Sequence, residues 1–210
     1  MTKIIFWNVD TQYDFMKLDG ALYVAGAEGI EPALKRVTEY AREQGIKVVN
    51  TADWHTPESR EISDTPDFRT TFPPHCLMET KGAEYIPATK PDNLYVIDWR
   101  DASFDKGQVV EKRNIVLYKD AFDIFAGSPH ADGVLKCIAP DRAVVYGVAT
   151  NVCVNYAVLG LLERGVDVYV LTDAIKELPT LPLEETLEAW RKAGARLTDT
   201  TKLEDITTED

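Results

Sequence analysis

Five short apolar runs punctuate the chain, at 4–9, 47–50, 114–118, 143–148 and 166–171, each rich in Val, Ile or Tyr. Most lack the apolar–polar alternation of a strand with one wet face. Such runs suit strands buried on both faces, the condition of a parallel sheet covered by helices. Between them lie helical patterns at 30–44, 130–138, 152–164 and 183–194. The first sets Ile30, Leu34, Val37 and Ala41 on one side and stops at Gly45, a residue suited to a helix C-terminus. This rhythm predicts an α/β fold: a three-layer, open, mostly parallel sheet of about six strands in Rossmann-like order, with helices on both faces. A weak further strand is expected at 195–197. With 210 residues, 45% of them hydrophobic, the chain can bury one full core, so 1–210 reads as a single domain.

Residues 56–112 break the rhythm with Pro57, Pro66, Pro73, Pro74, Pro87 and Pro91. Their strand-like piece, 94–99, is expected to pair with 108–112 across a turn at 105–107. The segment has too few apolar residues for its own core, so it reads as a long excursion over the sheet edge, at about 77–112, of the kind that forms lids or site walls. Residues 198–210 are polar and acidic and read as a solvated tail. Asp and Glu number 35 against 23 Lys and Arg, a net charge of −12, which argues against a nucleic-acid or anionic-membrane partner. No run of 18 or more apolar residues offers a membrane span. The three cysteines are too few for a disulfide scaffold and form no CxxC pair, which fits a reducing, cytoplasmic compartment.

Open parallel sheets bind ligands beyond the carboxyl ends of their strands. Here the residues after four successive runs are chemical: Asp10 to Phe15 after the first, Asp53-Trp54-His55 after the second, Lys119 to Phe122 after the third, and Gly147 to Cys153 after the fourth. Four ionisable or reactive groups at one edge indicate an active site. The first turn has no glycine and carries Asp10 and Asp14, which would repel a pyrophosphate. Neither GxGxxG nor GxxxxGK[ST] occurs, so the standard nucleotide-binding sites are rejected.

Cys153 opens the helix at 152–164, where the macrodipole favours thiolate. Read alone, it fits a small buried hydrophobe equally well. A nucleophilic cysteine needs a base, and only His55, His75 and His130 are histidines. His130 follows Ser128-Pro129 and reads as a surface or capping residue. Asp53 and His55, at i and i+2 on an extended strand end, point the same way, a common arrangement of two metal ligands. His75 sits in proline-bound backbone, as a third ligand requires. Two unrelated polar histidines are the plainer alternative. If the histidines hold metal, the base must be a carboxylate, and Asp10 is then the candidate, with Lys119 stabilising both anions.

The residues that carry this chemistry form four separated motifs: Asp10-x-Gln12-x-Asp14-Phe15; Asp53-Trp54-His55; Phe72-Pro73-Pro74-His75-Cys76 followed by Gly82-Ala83-Glu84; and Gly147-Val148-Ala149-Thr150-Asn151-Val152-Cys153. Together they resemble the isochorismatase-like cysteine hydrolases, and within them most closely the nicotinamidase branch. The resemblance implies a triad of Asp10, Lys119 and Cys153 that hydrolyses an amide through a thioester. It also implies a cis peptide at Val148–Ala149 and an oxyanion hole of the Ala149 and Cys153 amides. Asp53, His55 and His75 match a divalent metal site, with zinc the leading expectation and iron or manganese the others. Phe15, Phe72 and Gln12 are expected to contact substrate. Glu61 stands nearest to a further ligand position, and Asn151 replaces an aspartate of the cysteine loop. The expected substrate is nicotinamide or a close heteroaromatic amide. The alternatives are a metal-independent amidase for carbamoyl or ureido compounds, and a non-catalytic binding protein or thiol sensor. The expected assembly is a homo-oligomer.

Overall fold

The computed structural model describes residues 2–179 and 182–208. In chain order its elements are β1 (Ile4–Val9), α1 (Tyr13–Met16), α2 (Glu31–Glu43), β2 (Lys47–Asp53), β3 (Leu94–Ile97), α3 (Lys106–Glu111), β4 (Asn114–Lys119) and α4 (Ile124–Gly127). They continue with α5 (Ala131–Ile138), β5 (Arg142–Val148), α6 (Asn155–Glu163), β6 (Asp167–Lys176), α7 (Leu183–Ala193), β7 (Arg196–Thr198) and α8 (Leu203–Thr208). The strands form one sheet in the order β3-β4-β2-β1-β5-β6-β7, and every pairing is parallel. The expected architecture is thus present with seven strands rather than about six, the weak strand near 195–197 being β7. Strand order reverses between β1 and β5, the point where such sheets bind ligands.

The central strands are buried on both faces, which explains their unbroken apolar runs. Ile5, Trp7 and Val9 of β1 face one core, with Val134 and Leu135 of α5, Leu161 of α6 and Trp190 of α7. Phe6 faces the other, with Leu34, Val37 and Ala41 of α2. The Trp190 indole donates to Asn155 Oδ1 at 2.8 Å, which joins α7 to the start of α6.

Two expectations fail here. Residues 108–112 do not pair with 94–99. The Asp105 carboxylate caps α3 by accepting from the backbone N–H groups of Gly107 and Gln108, and Val109 turns inward, so β3 joins β4 through a helix and lies parallel to it. Nor is the acidic end a solvated tail. Asp199 caps a short 3-10 turn and α8 follows, burying Leu203 and Ile206 beneath α2 and β5. A polar average there hides two apolar residues at helical spacing; Glu209 and Asp210 lie outside the described residues. His130 stands at the N-cap of α5, in line with the capping reading and not the surface one: it makes no side-chain cap bond, is buried edge-on to Phe104, and its Nε2 lies 2.9 Å from the Asp101 carbonyl. Among the described residues, no helix is long and apolar enough to cross a membrane.

Candidate active site

The strand register brings the four chemical strand ends together. Asp53 lies opposite Lys119 across β2 and β4, while Val9 of β1 lies opposite Thr51 on one side and Gly147 on the other. Gly147 has φ +125, and a Cβ there would stand 2.0 Å from the Val9 carbonyl oxygen, so only glycine lets β5 pass this closely. The chain then turns through the cis Val148–Ala149 peptide into a π-helical turn at Thr150–Val154. Cys153 sits in that turn, two residues before α6 rather than at its first residue.

Lys119 is fully buried and stands at the centre of the cluster. Its Nζ is 3.0 Å from Asp10 Oδ2, ion-pairs directly with Asp53, and lies 3.9 Å from Cys153 Sγ. Asp10 Oδ1 accepts a 2.6 Å bond from the Thr51 hydroxyl. A carboxylate oxygen of Asp10, one of Asp53 and the Cys153 sulfur all lie within 4.8 Å of one another. Burial raises the pKa of Asp10, against the pull of Lys119. Burial also opposes the charge on Lys119, but the Asp10 and Asp53 carboxylates outweigh it and hold the ammonium protonated. Burial pushes the Cys153 thiol well up, and Asp10 and Asp53 add to this against Lys119. The expectation that the helix dipole favours thiolate is therefore overturned: two carboxylates and desolvation exceed a half-charge that is screened over one turn. Cys153 rests as a thiol with a carboxylate beside it.

Asp53, His55 and His75 form a second constellation that shares Asp53 with the first. The Nε2 atoms of His55 and His75 each stand 3.7 Å from Asp53 Oδ2. His75 Nδ1 is 2.8 Å from the Pro73 carbonyl, which can only accept, so Nδ1 carries the proton and Nε2 the lone pair. His55 Nδ1 meets Asp120 Oδ1 at 3.0 Å, and Asp120 is also bound by the Ser59 hydroxyl. That leaves His55 Nε2 buried with no hydrogen-bonding partner. Two imidazoles with Nδ1 anchored and Nε2 turned to one carboxylate are the usual preparation of a metal site. The charges agree: Asp10 and Asp53 surround a single buried cation, Lys119, so a divalent ion would offset the excess. Burial opposes a proton on His55, yet the bond to Asp120 and the nearby Asp53 carboxylate raise its pKa to about 9; a bound cation would stand in for that proton. The residues present fit a divalent metal. Glu61 lies outside the group, with Oε1 accepting from the Phe122 N–H at 2.9 Å, and burial followed by the Asp53 charge raises its pKa to about 7.

A narrow cavity of about 30 Å³, well below the ~300–1,000 Å³ of most ligand sites, touches both constellations. Phe15 and Phe72 both line it, beside Cys153, Ala149, His75 and Asp53. Phe15 packs against the His75 ring at 5.5 Å between centroids and Phe72 at 6.2 Å. Gln12 is a correction. It is fully buried, donates to the carbonyls of Asp53 and Ala83 at 2.8 and 2.9 Å, and accepts from the Asp53 N–H at 2.7 Å, so it clamps the end of β2 instead of touching substrate. Asp14 is a second clamp, accepting from the Cys76 N–H at 2.7 Å and the Ala21 N–H at 3.0 Å. Asn151 ties down the wall at Leu178, bonding its carbonyl at 2.8 Å and its N–H at 3.0 Å. Asp120, Ser59 and Leu178 escaped sequence reasoning. For Asp120 the available signal was a carboxylate directly after the strand-end lysine.

The comparisons agree with this geometry. Residues 5–202 match the isochorismatase domain model. The nicotinamidase/pyrazinamidase of Mycobacterium tuberculosis is 28% identical over 195 residues, covering 90% of this chain and 95% of its own, and the nicotinamidase of Escherichia coli is 26% identical over 200 residues, covering 89% of each. The crystal structure of the pyrazinamidase of Pyrococcus horikoshii in complex with zinc superposes with a TM-score of 0.75 at 25% identity, covering 94% of this chain and 99% of that one. Motifs, sheet order and site geometry converge on one conclusion: the chain belongs to the isochorismatase family.

Proposed function

We propose that the protein is a metal-containing cysteine amidohydrolase that converts nicotinamide, or a close heteroaromatic amide, to the acid and ammonia. One observation carries this reading. Two anchored imidazoles and Asp53 converge on a point beside the Cys153 thiol, in a cavity walled by Phe15 and Phe72. Its relatives from M. tuberculosis and E. coli, described as nicotinamidases, support the substrate class.

The Cys153 sulfur attacks the amide carbonyl while its proton passes to Asp10, which the geometry places within reach. The raised pKa of Asp10 suits it to return that proton to the departing ammonia. Lys119 stays charged and offsets the negative charge that builds on sulfur and carboxylate. The amides of Ala149 and Cys153 are the donors for the carbonyl oxygen as it becomes anionic, each worth about 3 kcal/mol of barrier in such sites. Water, deprotonated by Asp10, then attacks the thioester, releasing the acid and restoring the thiol. Asp53, His55 and His75 would hold the ion, which supplies a Lewis-acid contact for a ring nitrogen and so orients the ring. Phe15 and Phe72 close over the ring faces. Asp, His and His suit zinc, manganese or iron.

The test is ammonia release from nicotinamide, pyrazinamide and a set of carbamoyl and ureido compounds. Nicotinamide or pyrazinamide should be cleaved best. Cleavage of a carbamoyl compound in preference to both would overturn the substrate claim.

A further inference from the structure

The catalytic cavity shares part of its wall with a second chamber. Phe72, Phe122, Val152 and Leu178 line both, and the second chamber, of about 380 Å³, opens to solvent. The outer walls add Phe68, Arg69 and Tyr156. Tyr156 packs on Phe122 with ring centroids 5.2 Å apart, and it is 40% exposed. Phe68 is 64% exposed and adopts φ +55, a left-handed conformation unfavourable for a non-glycine residue. The loop is held in this shape by Asp67, whose carboxylate accepts from the backbone N–H groups of Arg69, Thr70 and Thr71 at 2.8–2.9 Å and from the Thr70 and Thr71 hydroxyls. Asp67 is thereby committed to the backbone. Among the described residues Arg69 makes no ion pair, and it is the one cation lining the chamber. Apolar walls shared with the reaction cavity, beside one exposed guanidinium that makes no ion pair among the described residues, describe the binding of an apolar arm that ends in an anion.

We propose that this chamber is a substrate-extension subsite, and that the enzyme takes heteroaromatic amides whose ring bears an arm ending in a carboxylate or similar anion, selected by Arg69. This rests on the reading of the inner cavity as an amide hydrolase site, and it names the substrates of that site more closely. The experiment compares kcat/KM for nicotinamide with nicotinamides carrying a carboxyethyl or a propyl arm at ring position 5 or 6. Wild-type protein, R69E and F68A are assayed for ammonia release. At least one carboxyethyl compound should be cleaved within about tenfold of nicotinamide. R69E should lower that value about tenfold while changing nicotinamide and the propyl compounds less than about twofold. F68A should weaken both armed compounds and leave nicotinamide unchanged. Cleavage of every armed compound more than about a hundredfold below nicotinamide would overturn the proposal. So would an R69E effect equal on charged and uncharged arms. If a carboxyethyl compound is cleaved and nicotinamide is not, the small-substrate reading falls and the subsite stands. If neither is cleaved, both fall.

Discussion

The two halves of the site are held in different ways. Asp10 and Lys119 stand at the ends of strands, where sheet register sets their spacing, and Cys153 follows in the turn that β5 leads into. His75 stands in irregular chain between β2 and β3, where the backbone pairs through isolated bridges, His55 with Leu77 and Ile62 with Phe72, instead of a continuous ladder. Beyond those bridges, side chains bonded to backbone hold His75: Asp14 to Cys76, Gln12 to Asp53 and Ala83, and its own Nδ1 to Pro73. Asp53 belongs to both halves, at once the Lys119 partner and the point the imidazoles face. A register-held half can be damaged chemically without moving. A clamp-held half can be moved without touching a single reacting atom.

The largest expected effect is chemical. Cys153→Ala should reduce ammonia release by about four orders of magnitude or more, as loss of a covalent nucleophile does elsewhere, with bound metal unchanged by elemental analysis. Retained turnover would remove Cys153 from the mechanism.

Gly82→Ala attacks the other half. A Cβ at Gly82 would sit 2.1 Å from an Asp14 carboxylate oxygen, forcing the clamp apart. The expected loss is about 2–3 kcal/mol in denaturant unfolding, together with weaker metal binding because the Cys76 end of the His75 segment is released. Wild-type stability in this variant would show that the segment holds itself.

Asp120→Asn tests the clamp on His55. An amide accepts from Nδ1 less strongly than a carboxylate and removes a charge. Metal affinity by chelator competition should fall about 10- to 100-fold, with the triad's reactivity to an alkylating reagent unaltered. An unchanged affinity would separate Asp120 from the ion.

The smallest expected effect is a control on the surface of α7. The Lys192–Glu188 pair, 2.7 Å apart, has both side chains well exposed, so Lys192→Ala should change stability by less than ~0.5 kcal/mol. A larger change would mean that exposed pairs matter more here than register or clamps.

The same contrast explains what was legible in the sequence. Runs buried on both faces announced a covered parallel sheet, and residues after each run announced its reactive edge, because register converts chain position into space. Asp53-x-His55 was readable for the same reason. Clamps leave no period. Gln12 looked like a substrate contact because a polar residue in a catalytic motif gives no sign that its donors and acceptors meet backbone. Asp120 and Ser59 are adjacent only in space, 61 positions apart along the chain. The thiol's raised pKa depends on Asp10 and Asp53 together, which the local pattern around Cys153 does not contain. Residues 198–208 read as a tail because Leu203 and Ile206 are too few to outweigh the surrounding charge in composition, yet they are enough to dock a short helix.

The division of labour between the halves can be measured on one sample. Metal content is determined, the protein is stripped with chelator, and nicotinamide turnover and Cys153 alkylation are followed before and after. About one divalent ion per chain is expected, with kcat/KM for nicotinamide collapsing on removal and returning on reloading, while Cys153 still alkylates. Stripped protein that hydrolyses nicotinamide at the original kcat/KM would contradict the assignment of Asp53, His55 and His75 to holding the substrate ring through a metal.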